Sequence, residues 1–316
     1  MENLIFSLNA TMPIFLLMVL GYVLKKIGWI DEGFASKLNN FVFKVSLPVL
    51  VFEDLATVDF QEAWNGRFVL FCFLATIVSI AIAFLLSLIL KKKEERGEFI
   101  QATYRSSAAI LGLAFIQNIY GTSGMGPLMI IGSVPLYNIF AVIVLSVFSP
   151  ENSGKKADTA LLKKTAVGIA KNPIIIGIVL GLLWSALGIP MPKILNSTVS
   201  KIGATATPLG LIAMGACFDF KKARSSGGAA ILASAVKLIG FGLLFVPAAI
   251  ALGFQNEELV AILVMLCSAT TVSCYVMARN MGHEGTLTSA AVMLTTLFAA
   301  FTLTGWLYVL RTLGAI

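Results

Sequence analysis

The chain has 316 residues, of which 58% are hydrophobic and 12% are charged, and its mean hydropathy is +0.91. Soluble domains carry about 25% charged residues, so this composition excludes an ordinary soluble protein. The net charge of +7 does not indicate a nucleic-acid partner, because the basic residues stand in short clusters between apolar runs. The composition predicts an all-α polytopic membrane protein whose surroundings are a lipid bilayer.

Apolar runs separated by charged or turn-rich segments predict ten membrane spans. In chain order they cover residues 10–27, 36–56, 67–90, 98–120, 125–148, 171–188, 195–217, 228–252, 258–280 and 287–310. Of the 23 Lys and Arg residues, 16 fall in alternate loops and four in the loops of the opposite side. The positive-inside rule therefore places both termini outside a cytoplasmic (inner) membrane and the linker 149–170 in the cytoplasm.

The two halves of the chain share residues at a fixed offset of 160. The matching pairs include Pro13 with Pro173, Gly21 with Gly181, Pro48 with Pro208, and Asp59 with Asp219. The pattern predicts one repeat in residues 1–148 and a second in residues 171–316. Each repeat has five spans, so the second is inverted relative to the first. Inverted repeats are typical of secondary carriers, whose substrate site lies at the repeat interface near the membrane midplane.

Small and hydroxyl residues concentrate near the middle of spans four and nine. If the backbone opens there, half-helix N–H groups and hydroxyls can meet a substrate carboxylate. The alternative is close helix packing, with each hydroxyl bonded to a carbonyl of its own helix. The candidate substrate-binding residues of this type are Ser106, Ser107, Ser268, Thr270, Thr271 and Ser273.

Three basic residues, Lys44, Arg105 and Lys237, fall within predicted spans. Lys237 lies about 15 Å from the cytoplasmic boundary, and an intramembrane cation is a functional candidate by default. Lys44 and Arg105 lie closer to the boundary, where snorkelling to the lipid headgroups is the alternative. Because no Asp or Glu lies in the middle of spans four or nine, the three cations are expected to compensate an anionic substrate.

Two prolines, Pro48 and Pro208, lie inside spans two and seven, where each is expected to kink its helix. No nucleophile, metal or phosphate motif indicates an enzyme, a metal site or a cofactor. His283, the one histidine, follows span nine and is expected to be a solvated residue of a cytoplasmic turn.

Several motifs together resemble the auxin efflux carrier family, which includes the plant PIN carriers and bacterial permeases for malate or malonate. They are Pro13 with Leu20-Gly21, Ser46-Leu47-Pro48, Tyr104-Arg105-Ser106, and the segment 273–279 with Gly282. The resemblance covers essentially the whole chain. It implies two inverted five-helix repeats, scaffold and transport bundles, crossing broken helices 4 and 9, and an elevator-like mechanism that carries organic anions. It also implies a homodimer.

The sequence departs from the family pattern at the predicted helix crossing. Ser107-Ala108 replaces an Asn followed by Thr or a small residue, Ala114 replaces a Pro, and no Pro stands near Ala269 or Thr270. The predicted function is secondary transport of a mono- or dicarboxylate such as malate or malonate. The alternatives are a sodium-coupled symporter of another solute and a membrane sensor that binds a ligand without moving it.

Overall fold

The computed structural model describes residues 2–57, 65–122, 124–150 and 166–316, and these residues form helices and connecting segments without a strand. The α-helices are α1 (Glu2–Lys26), α2 (Glu32–Phe41), α3 (Leu47–Ala56), α4 (Gly66–Ser87), α5 (Arg96–Tyr104), α6 (Leu113–Tyr120), α7 (Gly126–Val147), α8 (Pro173–Leu187), α9 (Lys193–Ala204), α10 (Ala206–Cys217), α11 (Phe220–Ser225), α12 (Gly227–Ala235), α13 (Phe241–Ala251), α14 (Asn256–Cys267), α15 (Ser273–Asn280) and α16 (Thr286–Thr312). Short π-helical turns cover Val42–Ser46, Ala108–Gly112 and Val236–Gly240. Residues 151–165 of the predicted linker lie outside the described residues.

The helices follow the predicted spans, and the all-helical membrane architecture is confirmed. Within the described residues, five helical segments are long and apolar enough to cross a membrane: Leu4–Lys26, Gly66–Ser87, Gly126–Val147, Gly227–Ala251 and Thr286–Thr312. Each remaining predicted span coincides with a shorter apolar helix or with two consecutive helices. That all ten segments cross the bilayer stays a prediction.

Predicted spans four and nine are each interrupted by a non-helical segment. The backbone of Arg105 is extended (φ −75°, ψ 130°) where α5 ends, and that of Ser268 is extended (φ −76°, ψ 168°) where α14 ends. The two interruptions lie against each other, because the Ser107 N–H donates to the Ala269 carbonyl at 3.0 Å. The helices therefore break without the family prolines, since partners from the facing segment satisfy the freed backbone groups.

Glycines allow two pairs of helices to approach closely. A Cβ atom on Gly21 of α1 would overlap the main-chain carbonyl of Ile212 in α10, and one on Gly181 of α8 would lie 2.9 Å from the carbonyl oxygen of Phe52 in α3. The two contacts correspond under the offset of 160, because Gly181 lies 160 positions after Gly21 and Phe52 lies 160 positions before Ile212. The packing of α1 on α10 thus has a counterpart in the packing of α8 on α3.

The N-terminus of α16 is capped by a side chain from α5. The carboxylate of Glu98, which is buried, accepts hydrogen bonds from the N–H groups of Gly285 and Thr288 at 2.9 and 3.0 Å. His283 lies beside it and is 3% exposed, with Nε2 at 2.9 Å from the Leu145 carbonyl. The prediction of a solvated histidine is wrong, because α5 and α7 pack over this turn.

Candidate functional site

A cavity of about 60 Å³ lies where the interruption of span four meets the start of α15. One wall comes from α3 and the beginning of α10, and the other from the two interrupted segments and α7. The lining residues are Leu47, Leu50, Val51, Asp54, Arg105, Ser106, Ser107, Ala108, Ala109, Val134, Tyr137, Asn138, Thr207, Thr271, Val272 and Ser273.

The guanidinium of Arg105 is the cationic group of this cavity. The residue is 3% exposed, and Nη2 donates to Asn138 Oδ1 at 2.8 Å and to Ser273 Oγ at 2.9 Å. Nη1 lies 2.8 Å from Met277 Sδ, and Nε has no partner among the described residues. Because the side chain is buried, it does not reach the lipid headgroups by snorkelling. Because its acceptors are neutral, its positive charge is not balanced by an ion pair within the described chain.

Lys237 is also buried, but it does not line the cavity. Its ammonium donates to the Tyr104 carbonyl at 3.0 Å and to the Ser106 hydroxyl, and that hydroxyl in turn donates to the Met265 carbonyl. The partial negative charge of a helix C-terminus favours a cation at this point. Lys237 therefore stabilises the interrupted end of α5. It is the second residue of the π-helical turn Val236–Gly240.

The structure divides the predicted hydroxyl residues into two groups. Ser106, Ser107, Thr271 and Ser273 line the cavity, whereas Ser268 and Thr270 are absent from its lining. Thr270 Oγ1 donates to the Ala102 carbonyl at 2.8 Å, and its N–H donates to Thr295 Oγ1 at 3.0 Å. Thr270 thus links the interruption of span nine to the last turn of α5 and to α16.

The other three predicted residues lie away from the cavity lining. Lys44 is exposed on the π-helical turn before α3. Pro48 is the second residue of α3 and follows that turn, while Pro208 is the third residue of α10 and follows the break at Thr205. Each proline therefore lies in the first turn of a helix, next to an irregular segment; a kinking role stays a prediction.

Two half-helices begin at the cavity. The first hydrogen bond of the half-helix after Ser107 is donated by Leu111 to the Ser107 carbonyl, and α15 begins at Ser273. N–H groups at the start of a helix have no intrahelical acceptor and carry a partial positive charge. The cavity therefore combines a guanidinium, two helix N-termini and hydroxyl groups, which is the donor set of a carboxylate site.

Sequence reasoning missed two polar residues of the cavity. Asn138 on α7 positions the Arg105 guanidinium; the available signal was an amide inside an otherwise apolar span. Asp54 on α3 lies near the end of predicted span two, and the structure places it in the cavity lining. It is half-buried and makes no hydrogen bond or ion pair with another described residue.

A wider cavity of about 840 Å³ lies at the side predicted to be cytoplasmic. Its charged lining residues are Lys25, Lys26, Glu32, Asp219, Lys221, Lys222, Arg279 and Glu284. The N–H groups of Lys222 and Lys221, at 3.2 and 2.8 Å, hold the pKa of the Asp219 carboxyl below its usual value.

Between the two cavities, Gly210 of α10 packs closely against Val276 and Val272.

Two proteins and one solved structure are similar over nearly the whole chain. An uncharacterized transporter of Methanothermobacter thermautotrophicus is 23% identical over 310 residues, which cover 96% of this chain and 98% of that protein. A protein of Rhizobium meliloti named "Putative malonate transporter" is 24% identical over 315 residues, which cover 95% and 94%. The structure of the sodium proton antiporter MjNhaP1 of Methanocaldococcus jannaschii superimposes with a TM-score of 0.65 at 12% identity, covering 95% and 97% of the two chains.

The family comparison agrees with these similarities. The model of the family described as "Membrane transport protein" matches residues 6–307, and it confirms the resemblance seen in the sequence motifs. The chain is therefore a membrane transporter that belongs to this family.

Proposed function

We propose that this chain is a secondary transporter that moves a small organic anion, a mono- or dicarboxylate, across the cytoplasmic membrane. The observation that carries the proposal is the buried Arg105 guanidinium, which lines a cavity between two interrupted helices and has only neutral acceptors in the described chain. A buried charge that has no ion-pair partner is costly, so an anionic ligand that pairs with it gains binding energy. The name of the Rhizobium meliloti relative supports a carboxylate substrate.

Alternating access would follow from relative movement of the two cavity walls. In this proposal the wall formed by α3 and α10 is part of the scaffold bundle, and the wall formed by the interrupted segments and α7 is part of the transport bundle. The related packing of α1 on α10 and of α8 on α3 supports two inverted repeats. In this mechanism the second wall carries the anion past the Gly210 contact toward the wider cavity.

Counterflow in proteoliposomes tests the proposal. Vesicles are loaded with unlabelled malate, malonate, lactate or indole acetate, and entry of the matching radiolabelled anion is followed at fixed pH with and without sodium. Saturable entry that depends on the internal anion is the expected result. Absence of entry for every anion, with folded protein in the vesicles, would contradict the proposal; entry that requires sodium would favour the sodium-coupled alternative.

A further inference from the structure

Asp54 introduces a negative charge into a cavity in which, among the described lining residues, Arg105 is the other charged side chain. Its neighbours in the described part of the chain do not neutralise it: α8, which packs on α3, has no charged residue, and Lys44 and Lys201 on the adjoining segments are exposed. Tyr137, the titratable residue of α7 in the lining, donates its hydroxyl to the Met265 carbonyl. The negative charge of the Asp54 carboxylate therefore repels an anion that binds in the cavity.

The charges of the cavity suit one negative charge better than two. Arg105 contributes one positive charge, each half-helix N-terminus contributes about half a positive charge, and Asp54 contributes one negative charge. The Lys237 ammonium behind Ser106 offsets the partial negative charges of the two half-helix C-termini that end at Tyr104 and Cys267. The sum of these charges is about one positive charge. A monocarboxylate neutralises this sum, whereas a fully ionised dicarboxylate leaves an excess negative charge in a site of low polarity.

We propose that Asp54 is a specificity-determining residue that restricts the cavity to singly charged carboxylates. This inference rests on the proposed function, because it concerns the charge of the anion that is carried. Replacing the carboxylate by an amide raises the net charge of the cavity to about two, which matches a dianion. Asp54 thus decides between two substrates of similar size and different charge.

The test compares lactate with malonate, since each has three carbons and they differ by one charge when malonate is fully ionised. Counterflow of both is measured for the wild type, Asp54→Asn, Asp54→Glu and Glu53→Gln at a pH of about 8.5, so that both malonate carboxyls and the Asp54 carboxyl are ionised. Glu53 is the matched control, because its carboxylate lies against Gly203 of α9 and is absent from the cavity lining.

We expect the wild type, Asp54→Glu and Glu53→Gln to prefer lactate, and Asp54→Asn to shift the lactate-to-malonate ratio at least about tenfold toward malonate. An unchanged ratio in Asp54→Asn, with lactate still transported, would overturn this inference and leave the proposed function intact. Loss of lactate preference in Glu53→Gln to the same extent would also overturn it. A wild-type protein that prefers malonate would also overturn this inference, whereas absence of entry for malate, malonate, lactate and indole acetate alike would overturn the proposed function.

Discussion

Replacing Gly21 by alanine tests the helix contact that relates the two halves of the chain. The new Cβ atom would overlap the main-chain carbonyl of Ile212, so α1 and α10 would have to separate. Overpacking of this kind costs about 1–3 kcal/mol, while alanine regains about 0.5–1 kcal/mol in a helix interior. The net loss of up to about 2.5 kcal/mol corresponds to a fall in Tm of several degrees. Thermal unfolding of purified protein in detergent, followed by tryptophan fluorescence, measures this change.

Gly181→Ala and Gly305→Ala complete the series. At Gly181 the added atom would lie 2.9 Å from the Phe52 carbonyl oxygen and 3.0 Å from Leu55 Cβ, so a smaller fall in Tm is expected than for Gly21→Ala. At Gly305 on α16 no atom lies within 4 Å of the added Cβ, so its Tm should stay the same or rise. Equal Tm values for Gly21→Ala and Gly305→Ala would refute the packing argument.

Two further predictions concern the interrupted helices. Ser107→Leu and Thr271→Leu should each abolish counterflow while membrane insertion stays normal, because both residues line the cavity; wild-type transport in both would contradict this position of the site. Lys237→Met should lower the Tm by several degrees, because the Tyr104 carbonyl and the Ser106 hydroxyl each lose a charged donor worth about 1.5–3 kcal/mol. Lys44→Met is its control on an exposed site, and equal Tm values for the two lysine variants would exclude the capping role of Lys237.

Hydropathy and residue chemistry predict much of this fold. Apolar runs mark the helices, because a polar side chain in lipid is costly, and the small and hydroxyl residues around Ser107 and Thr271 mark the two interruptions. The family prolines are absent there, yet the helices break. Side chains such as Thr270 and Lys237 provide the hydrogen bonds that the opened backbone requires.

The roles of single polar residues are harder to predict than their positions. Depth along a span places Lys237 near the bilayer centre, but only the tertiary packing shows that it caps α5 and is absent from the cavity lining. Asn138 and Asp54 reach the cavity through the packing of α7 and α3, which no local pattern reveals. His283 is buried for the same reason, since its surroundings come from helices that are distant in sequence.

The central claim is that Arg105 compensates the charge of a transported carboxylate. Its most direct test is lactate counterflow at subsaturating concentration for the wild type, Arg105→Lys and Arg105→Gln, with the elution profile in detergent as the control for folding. Removing a buried charged partner of a carboxylate costs about 2–5 kcal/mol, so Arg105→Gln should lower the rate at least about 30-fold. Arg105→Lys, which keeps the charge and loses the planar fork, should give an intermediate rate. Folded Arg105→Gln protein that transports lactate at the wild-type rate would contradict the claim.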